Sequence, residues 1–387
     1  MGKPKIRFKG YEDAWEQRKL GEVAQEFKSG NSLKADEIDI TGDYPVYGGN
    51  GLRGYTSTYN HDGEYALIGR QGALCGNMNY SVGKAYFTEH AVVVKADENN
   101  DTRFLYYMLD TMNLGQYSDQ SAQPGLAVNK LVKLENQFPM KEEQQRIGWY
   151  FSNIDHLITL HQRKCEETKS LKKYMLQKMF PENGKCVPEI RFSGFSDAWE
   201  QRKLEEYLGV SKEKNRDESF GKDDVLSVSG EYGIVNQIEF QGRSFAGASV
   251  ANYGVVEGGD VVYTKSPLKS NPYGIIKTNK GKTGIVSTLY AVYKPKNNVG
   301  AEFVQIYFEL DSRMNSYMHP LVNKGAKNDM KVSDENALKG SVIFPKIDEQ
   351  KAISKYFAQL DHLITLHQHK CDELQKLKKF MLQNMFV

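Results

Sequence analysis

Apolar residues recur in a heptad pattern along two long stretches of the chain. From position 147 the steps between apolar residues are 4, 3 and 4, and the same steps start again at position 353. Alternating steps of three and four residues place side chains on one face of an α-helix and are typical of a coiled coil. The predicted seam residues are Ile147, Phe151, Ile154, Ile158, Ile353, Phe357, Leu360 and Ile364.

A proline and an acidic first turn precede each stretch. Pro139 is followed by Glu143, and Pro345 is followed by Glu349, which is a helix-start signal. Each stretch therefore predicts a helix of about 38 residues, roughly 57 Å long at 1.5 Å per residue. An ordinary long core helix is the alternative to a coiled coil.

The chain is an internal repeat. The segments between the repeated blocks, residues 21–137 and 205–343, look unlike each other. The repeated blocks outside these two segments were therefore duplicated, and we call them the frame. The two segments between them are the inserts, and they differ. The repeated octapeptides are DAWEQRKL, at 13–20 and 197–204, and DHLITLHQ, at 155–162 and 361–368.

The short connection at 181–187 fixes the expected direction of the helices. The second variable block begins within about 25 Å of the end of the first helix, so the second helix should run back along the first. We therefore expect an antiparallel coiled coil with one globular domain at each end and a pseudo-twofold internal repeat.

Both variable blocks indicate globular α/β domains. Short aromatic and β-branched runs alternate with Gly and Asn turns, and each block also has a helical stretch, at 104–112 and 303–310. The predicted fold class is α+β, with two globular α/β domains separated by two long helices. The predicted domain boundaries are 1–137, 138–183, 184–343 and 344–387.

Composition narrows the class of protein only slightly. The chain has 387 residues, 40% of them hydrophobic and 26% charged, which is ordinary for a protein with two cores. No apolar run approaches the roughly 18 residues of a membrane span. Four cysteines form no disulfide framework, and we expect a cytoplasmic protein.

Two His–Cys pairs lie on the predicted helices. His161 with Cys165, and His367 with Cys371, are spaced i, i+4, so each pair shares a helical face. Four such ligands could form a tetrahedral zinc site. Buried polar residues that fix the register of a coiled coil explain the same pattern, and we expect no metal.

Catalytic signatures are incomplete. GKT at 281–283 lacks the first glycine of a phosphate loop, because Ile276 stands there, and NPY at 271–273 lacks the second proline of an adenine methyltransferase motif. The chain is predicted to be non-catalytic.

The repeated plan resembles the specificity subunit of type I restriction-modification systems over essentially the whole chain. The motifs that carry the resemblance are WEQRKL at 15–20 and 199–204, YGGNGLRGY at 47–55, IGRQGA at 68–73, and two helix starts of the form F-P-x-x-x-E-Q at 138–144 and 344–350.

The resemblance implies a function for each part. Each variable block would be a target recognition domain that reads one half of a bipartite, asymmetric site on double-stranded DNA. The helices would set the spacing and dock two methyltransferase subunits, with restriction subunits in the larger complex. S-adenosylmethionine, ATP and Mg would belong to those partners, and this chain would bind no cofactor.

Polar loop residues beside glycines are the predicted base contacts, because Arg suits guanine and Gln or Asn suits adenine. Each of them could instead be a solvated loop residue or a turn former. The predicted residues are Arg53, Arg70, Gln71, Asn77 and Gln123 in the first domain, and Arg243, Lys265, Lys269, Asn271, Lys327 and Asn328 in the second.

Charge does not favour DNA binding. Residues 21–137 contain 9 Lys plus Arg against 15 Asp plus Glu, a net charge of −6, and residues 205–343 contain 17 of each. A protein that holds DNA alone should be basic, so the isolated chain is expected to bind DNA weakly. A coiled-coil adaptor without DNA readout and a stand-alone regulator are the competing hypotheses.

Overall fold

A computed structural model describes residues 3–118, 125–182, 184–268, 271–324 and 330–387. The chain divides into two compact units. Unit 1 comprises Met1–Arg163 and His367–Val387, and unit 2 comprises Lys164–Leu366. The division falls inside both long helices, and the sequence-block boundaries stay a prediction.

Unit 1 is built around a mixed sheet of six strands. Strand β3 pairs with β6 in parallel, and the sheet order is β2-β7-β5-β6-β3-β4. These elements, together with a separate β1–β8 pair, are β1 (Glu16–Lys19), β2 (Ala24–Ser29), β3 (Tyr44–Gly48), β4 (Gly51–Thr56), β5 (His61–Gly69), β6 (Met78–Phe87), β7 (Ala91–Ala96), α1 (Thr102–Thr111), α2 (Val128–Leu131), β8 (Glu135–Phe138) and the first part of α3 (Lys141–Lys178).

Strand β7 shows how sequence fixes the two faces of this sheet. Successive side chains of a strand point to opposite faces. Val92 and Val94 accordingly join the cluster that contains Trp15 and helix α1, whereas Val93 joins a second cluster with Phe87. The continuous valine run is therefore buried on both sides of the sheet.

Unit 2 has a smaller central sheet, in the order β10-β17-β14-β15. The pairs β11–β12, β13–β16, β18–β19 and β9–β20 are separate two-stranded ribbons. The elements are β9 (Glu200–Lys203), β10 (Leu208–Val210), β11 (Leu226–Ser229), β12 (Gly233–Asn236), α4 (Gln237–Gln241), β13 (Gly254–Val256), β14 (Val261–Thr264), β15 (Ile276–Thr278), β16 (Gly284–Val286), β17 (Tyr290–Pro295), α5 (Ala301–Tyr307), α6 (Asp311–Met318), β18 (Asn323–Lys324), β19 (Met330–Lys331), β20 (Ser341–Phe344) and α7 (Ile347–Met385).

The repeated entry motif forms the same strand pair in both units. Glu16 lies opposite Phe138 in the β1–β8 ladder, and Glu200 lies opposite Phe344 in the β9–β20 ladder. The tryptophan that precedes each entry strand is buried in its own unit. The repeated residues thus join the entry of each unit to the strand that leads into its long helix.

The glutamate of each F-P-x-x-x-E-Q motif is held by an arginine. Arg7 donates through Nε and Nη2 to the two carboxylate oxygens of Glu143, both at 2.7 Å. Arg191 makes the same two contacts with Glu349, again at 2.7 Å. Both glutamates are buried, so these bidentate pairs anchor the repeated entry segment to the helix start.

The glutamine of each motif ties the helix start to the domain that precedes it. Gln144 donates to the carbonyl of Pro139 at 2.9 Å and accepts from the amide of Asp101 at 3.0 Å. Gln350 donates to the carbonyl of Pro345 at 2.9 Å and accepts from the amide of Gly300 at 3.0 Å. The motif residues therefore have matching structural roles in both units.

Helices α3 and α7 run antiparallel. In unit 1, Lys378 Nζ lies 2.6 Å from Asp155 Oδ1, and in unit 2, Lys172 Nζ lies 2.6 Å from Asp361 Oδ1. Late positions of one helix thus contact early positions of the other in each unit. The predicted antiparallel coiled coil and the α+β fold class are confirmed.

The predicted seam is buried except for Ile364, which is partly exposed. Ile147 and Phe151 lie in the same cluster as Trp15 and Phe104, so the start of α3 is also part of the core of unit 1. A core helix and a coiled coil are alternatives in the sequence, yet α3 is both.

Among the described residues, every helix is too short or too polar to span a membrane.

Candidate nucleic-acid interface

A surface pocket of about 490 Å³ lies among the glycine-rich loops of unit 1. The β3–β4 turn forms one wall, and the segments that follow β5 and β6 form the others. Four residues with polar side chains line it, namely Asn50, Arg53, Gln71 and His90. The remaining lining residues are Gly49, Gly72 and Gly125.

Glycines at the β3–β4 turn permit the close packing that shapes this pocket. Gly51 has a φ of +91°, a conformation that L side chains rarely adopt, and a Cβ there would lie 2.8 Å from Asn79 Oδ1. A Cβ on Gly49 would lie 2.9 Å from the carbonyl oxygen of His90. Gly51 is therefore favoured by its backbone conformation and by the nearby Asn79 side chain, whereas Gly49 is required by the close approach of the His90 main chain.

Main-chain hydrogen bonds hold the opposite wall in place. The amide of Arg70 donates to the carbonyl of His90 at 2.9 Å, and the amide of Leu126 donates to the carbonyl of Arg70 at 2.9 Å. Gln71 forms an isolated bridge with Gly125. These contacts bring Gln71 and His90 side by side, with Gln71 Oε1 3.0 Å from His90 Nδ1.

The pocket gathers only part of the residue set predicted for the first domain. Arg53 and Gln71 line it, whereas Arg70 directs Nη1 to the carbonyl of Glu89 at 3.4 Å. Asn77 is exposed on the segment between β5 and β6. Gln123 lies outside the described residues.

The predicted residues of the second domain are more scattered. Arg243 is exposed and stacks its guanidinium 4.5 Å from the ring centre of Phe245. Lys265 Nζ lies 2.9 Å from Asp334 Oδ1. Asn271 is buried and donates to Asp311 at 2.7 Å, so its side chain is not at the surface. Lys269, Lys327 and Asn328 lie outside the described residues.

Buried polar atoms without a hydrogen-bond partner lie near the unit 1 pocket. Among the described residues they include Asn79 Nδ2, Thr88 Oγ1 and Glu89 Oε2. Leaving such an atom unpaired costs about 1–3 kcal/mol, and native proteins keep few of them. None of these three side chains lines the pocket, so they belong to the structure that supports its walls.

Sequence reasoning missed His90 and Asn50. Asn50 lies in the turn of YGGNG, beside glycines, which is the same signal that selected Arg53. His90 stands between the end of β6 and the buried run of β7, where a polar residue at a strand end faces the adjacent loop. Both signals could have been found in the sequence.

The histidines and the cysteines of the long helices make different contacts. His161 Nδ1 lies 3.0 Å from His367 Nδ1, whereas the thiols of Cys165 and Cys371 each approach a main-chain carbonyl of the facing helix, at 3.9 and 3.7 Å. No group of three or more metal-ligating side chains was found within the described ranges. The contacts fit polar residues packed in a helix seam.

Exposed leucines on the long helices are a second set that sequence reasoning missed. Unit 1 exposes Leu157 and Leu160, and unit 2 exposes Leu363 and Leu366 at the matching positions of DHLITLHQ. Each pair has i, i+3 spacing and so shares a helix face. The other exposed apolar residues at matching positions are Leu377 and Phe380 in unit 1, and Leu171 and Tyr174 in unit 2.

Comparison with known proteins gives consistent matches. Residues 12–170 match the family model described as the type I restriction modification DNA specificity domain. The EcoprrI specificity subunit of Escherichia coli, a type I restriction enzyme subunit, is 42% identical over 156 residues, which is 39% of this chain and 39% of that protein. The match thus spans well under half of that relative.

Two further relatives cover more of the chain. The putative type I restriction enzyme MjaX specificity subunit of Methanocaldococcus jannaschii is 24% identical over 324 residues, 77% of this chain and 71% of that protein. The crystal structure of the type I restriction-modification S subunit of M. genitalium aligns with a TM-score of 0.68 at 16% identity, over 100% of this chain and 99% of that one. At that identity the likeness shows the fold alone.

The fold and the loop site define a duplicated α/β protein whose two unlike loop-bearing units share one pair of helices. Residues 12–163 of the family-model match lie in unit 1, and the last part of the match continues along α3 into unit 2. The similarity to type I restriction-modification specificity proteins is thus found by sequence in residues 12–170, and the S subunit of M. genitalium shares the fold of the whole chain.

Proposed function

We propose that this chain is the non-catalytic subunit that gives a type I restriction-modification complex its DNA sequence specificity. The observation that carries the proposal is the pairing of one repeated frame with two unlike loop sets. Base edges specify sequence through side chains in a groove, and one small domain covers only a few base pairs. Two different loop sets would read two different half-sites.

The long helices would set the distance between the half-sites. Helices of 38 and 39 residues span roughly 57 Å at 1.5 Å per residue. That length is enough for recognition elements placed one turn of the duplex apart, about 34–36 Å. The distance between half-sites would then depend on the helices rather than on the loops.

The exposed apolar residues of the helices would dock two copies of a methyltransferase subunit. Leu157 and Leu160 in unit 1 match Leu363 and Leu366 in unit 2, so both units offer the same side chains to a partner. Exposed apolar sets of this kind often mark protein interfaces. Restriction subunits would join the larger complex in the cytoplasm, and the partners would supply S-adenosylmethionine, ATP and Mg.

The net charge of −6 on residues 21–137 favours one competing function, a coiled-coil adaptor without DNA readout. Titration of labelled duplexes with the chain, alone and with the methyltransferase subunits, separates the two. We expect weak, poorly specific binding alone and tight, sequence-specific binding with the partners, because they would supply phosphate contacts. Tight, sequence-specific binding by the chain alone would contradict the expectation that the methyltransferase subunits supply the phosphate contacts.

A matched variant tests the docking surface in the same titration. In Leu157→Lys/Leu160→Lys, and in its counterpart Leu363→Lys/Leu366→Lys, the exposed apolar pair becomes charged while the buried seam is unchanged. Each should lose the gain in affinity that the methyltransferase subunits provide. If neither the binding of the subunits nor DNA affinity changed, docking at these leucines would be excluded. If the complete complex also showed no sequence preference, the adaptor function would replace the proposal.

A further inference from the structure

The unit 1 pocket has the chemistry to read one kind of base. We propose that it binds the major-groove edge of an adenine, with Gln71 as the contacting residue and His90 as the residue that positions the Gln71 amide. The inference rests on the proposed function, and it adds the base that is read and a residue that had no assigned role.

The side chain of Gln71 has the donor and acceptor pattern that adenine requires. Adenine offers an N6–H donor and an N7 acceptor in the major groove, and a glutamine amide pairs with both at once. Gln71 is exposed and lines the pocket. Arg53, in the same pocket, carries only donors and therefore suits guanine.

His90 holds this amide in one orientation. Its Nδ1 lies 3.0 Å from Gln71 Oε1, which leaves the second lone pair of Oε1 and both Nε2 hydrogens available for a base. On the other side of the ring, Nε2 lies 3.5 Å from Glu89 Oε1. The imidazole is therefore placed between the amide and a carboxylate.

The surrounding backbone makes this arrangement stiff. The amide of Arg70 donates to the carbonyl of His90 at 2.9 Å, and Gln71 is bridged to Gly125. A free glutamine side chain loses up to about 2 kcal/mol of rotamer entropy when it is ordered. Fixing Gln71 before DNA arrives removes part of that cost at the binding step, which is how preorganised sites gain affinity.

The walls allow a base edge to come close. A glycine stands at 49, 72 and 125, so no side chain blocks the pocket from those positions. The pocket volume of about 490 Å³ is ample for the edge of one base pair.

The test uses the full complex with the methyltransferase subunits. Its recognition site is first mapped, and methylation rates are then measured on duplexes in which each base pair of the site is replaced in turn. Gln71→Ala should lower the preference for adenine at one position by about 10-fold to 100-fold, the usual worth of a bidentate pair. Discrimination at the other positions should be unchanged.

His90→Ala should weaken discrimination at that same position by about 5-fold, since the amide would no longer be fixed. His90→Asn should restore it, because the Asn Nδ2–H can replace the Nδ1–H that reaches Gln71. A residue that only supported the fold would lower the rate on every duplex alike. His319→Ala, an exposed histidine of unit 2 that is outside both the pocket and the docking leucines, is the control and should leave the preference at the Gln71 position unchanged.

Several results would overturn the inference while the proposed function stood. One is an unchanged pattern of methylation rates across the duplexes in both variants, and another is a uniform loss of rate on all duplexes. A third is a change of rate confined to a G·C pair, which would assign the pocket to Arg53. A wild-type complex without any sequence preference would instead remove the proposed function itself, and the inference with it.

Discussion

Unit 1 and unit 2 have similar frames around very different inserts. The insert of unit 1 folds into a six-stranded sheet, whereas that of unit 2 forms a four-stranded sheet with several two-stranded ribbons. The frame contacts are reproduced closely, because Arg7–Glu143 and Arg191–Glu349 are both bidentate at 2.7 Å. The contacts that join a domain to its helix are therefore independent of the loops that the domain carries.

The ion pair between the two long helices is present in both units, but the other side chains around it differ. In unit 2, Lys172 of α3 binds both Asp361 of α7 and Glu309, at 2.6 and 2.5 Å. In unit 1 the matching Lys378 binds Asp155 at 2.6 Å, and Tyr107 also donates to Asp155, at 2.7 Å. Asp110 occupies the place of Glu309 but is one methylene shorter and stays exposed.

The largest expected effect comes from removing one arginine of the frame. Arg7→Met leaves the buried carboxylate of Glu143 without its partner and should lower the free energy of unfolding by about 3 kcal/mol. Arg191→Met should do the same through Glu349. Chemical denaturation gives the magnitude, and hydrogen exchange measured by mass spectrometry gives the location.

The rate of backbone hydrogen exchange should rise mainly in the unit that carries the substitution. The double variant Arg7→Met/Glu143→Met removes both charges and should recover most of the loss, since no carboxylate remains buried and unpaired. Equal exchange in both units after either single substitution would show that the frames are not independent.

A smaller and unequal effect is expected from the lysines. Lys172→Met removes contacts to two carboxylates and should cost about 2 kcal/mol, whereas Lys378→Met removes one and should cost about 1 kcal/mol. Each lysine and its carboxylates form one ion-pair cluster. Equal losses of unfolding free energy in the two variants, measured by urea denaturation, would contradict the proposed difference between the two clusters.

The contribution of Lys172 also has an expected pH dependence. Burial alone would lower the pKa of Lys172, but Glu309 and Asp361 outweigh it, so the pKa is raised above 10.5. Its stabilisation should therefore be complete below pH 10.5 and should disappear as the pH rises through the folded-state pKa. The difference in unfolding free energy between wild type and Lys172→Met should therefore narrow in that alkaline range.

The smallest effect is expected from making the two clusters alike. Asp110→Glu lengthens the acid of unit 1 by one methylene and should bring it to Lys378, for a gain of about 0.5 kcal/mol at this exposed position. Glu309→Asp is the reverse change in unit 2 and should destabilise that unit. A loss of stability in Asp110→Glu, seen as a lower melting temperature, would mean that the side-chain length is not what separates the clusters.

The frame could be predicted from the sequence because its signals are repeated and periodic. The heptad steps from Ile147 and Ile353 gave the long helices, and the short connection at 181–187 gave their antiparallel direction. The roles of Glu143 and Gln144 could not be predicted in this way, because Arg7 lies 136 residues from its partner and no local pattern links the two.

The candidate site was predictable only in part. Glycine-rich turns identified Arg53 and Gln71, since glycine marks the places where backbone comes close. They could not show that His90 lies beside Gln71, which depends on how the chain before β7 packs against the chain after β5. Asn271 illustrates the opposite case, because a loop composition placed it at the surface while its contact with Asp311 buries it.

The central claim is that one frame carries two inserts, each of which recognises its own half-site. A domain exchange tests it most directly. Residues 205–343 would be replaced by the corresponding block of a relative, and modified bases would be mapped across a genome in cells that also contain the methyltransferase subunits. The account predicts that one half of the recognised site changes, while the other half and the spacing between them stay the same. A change in both halves, or in neither, would contradict it.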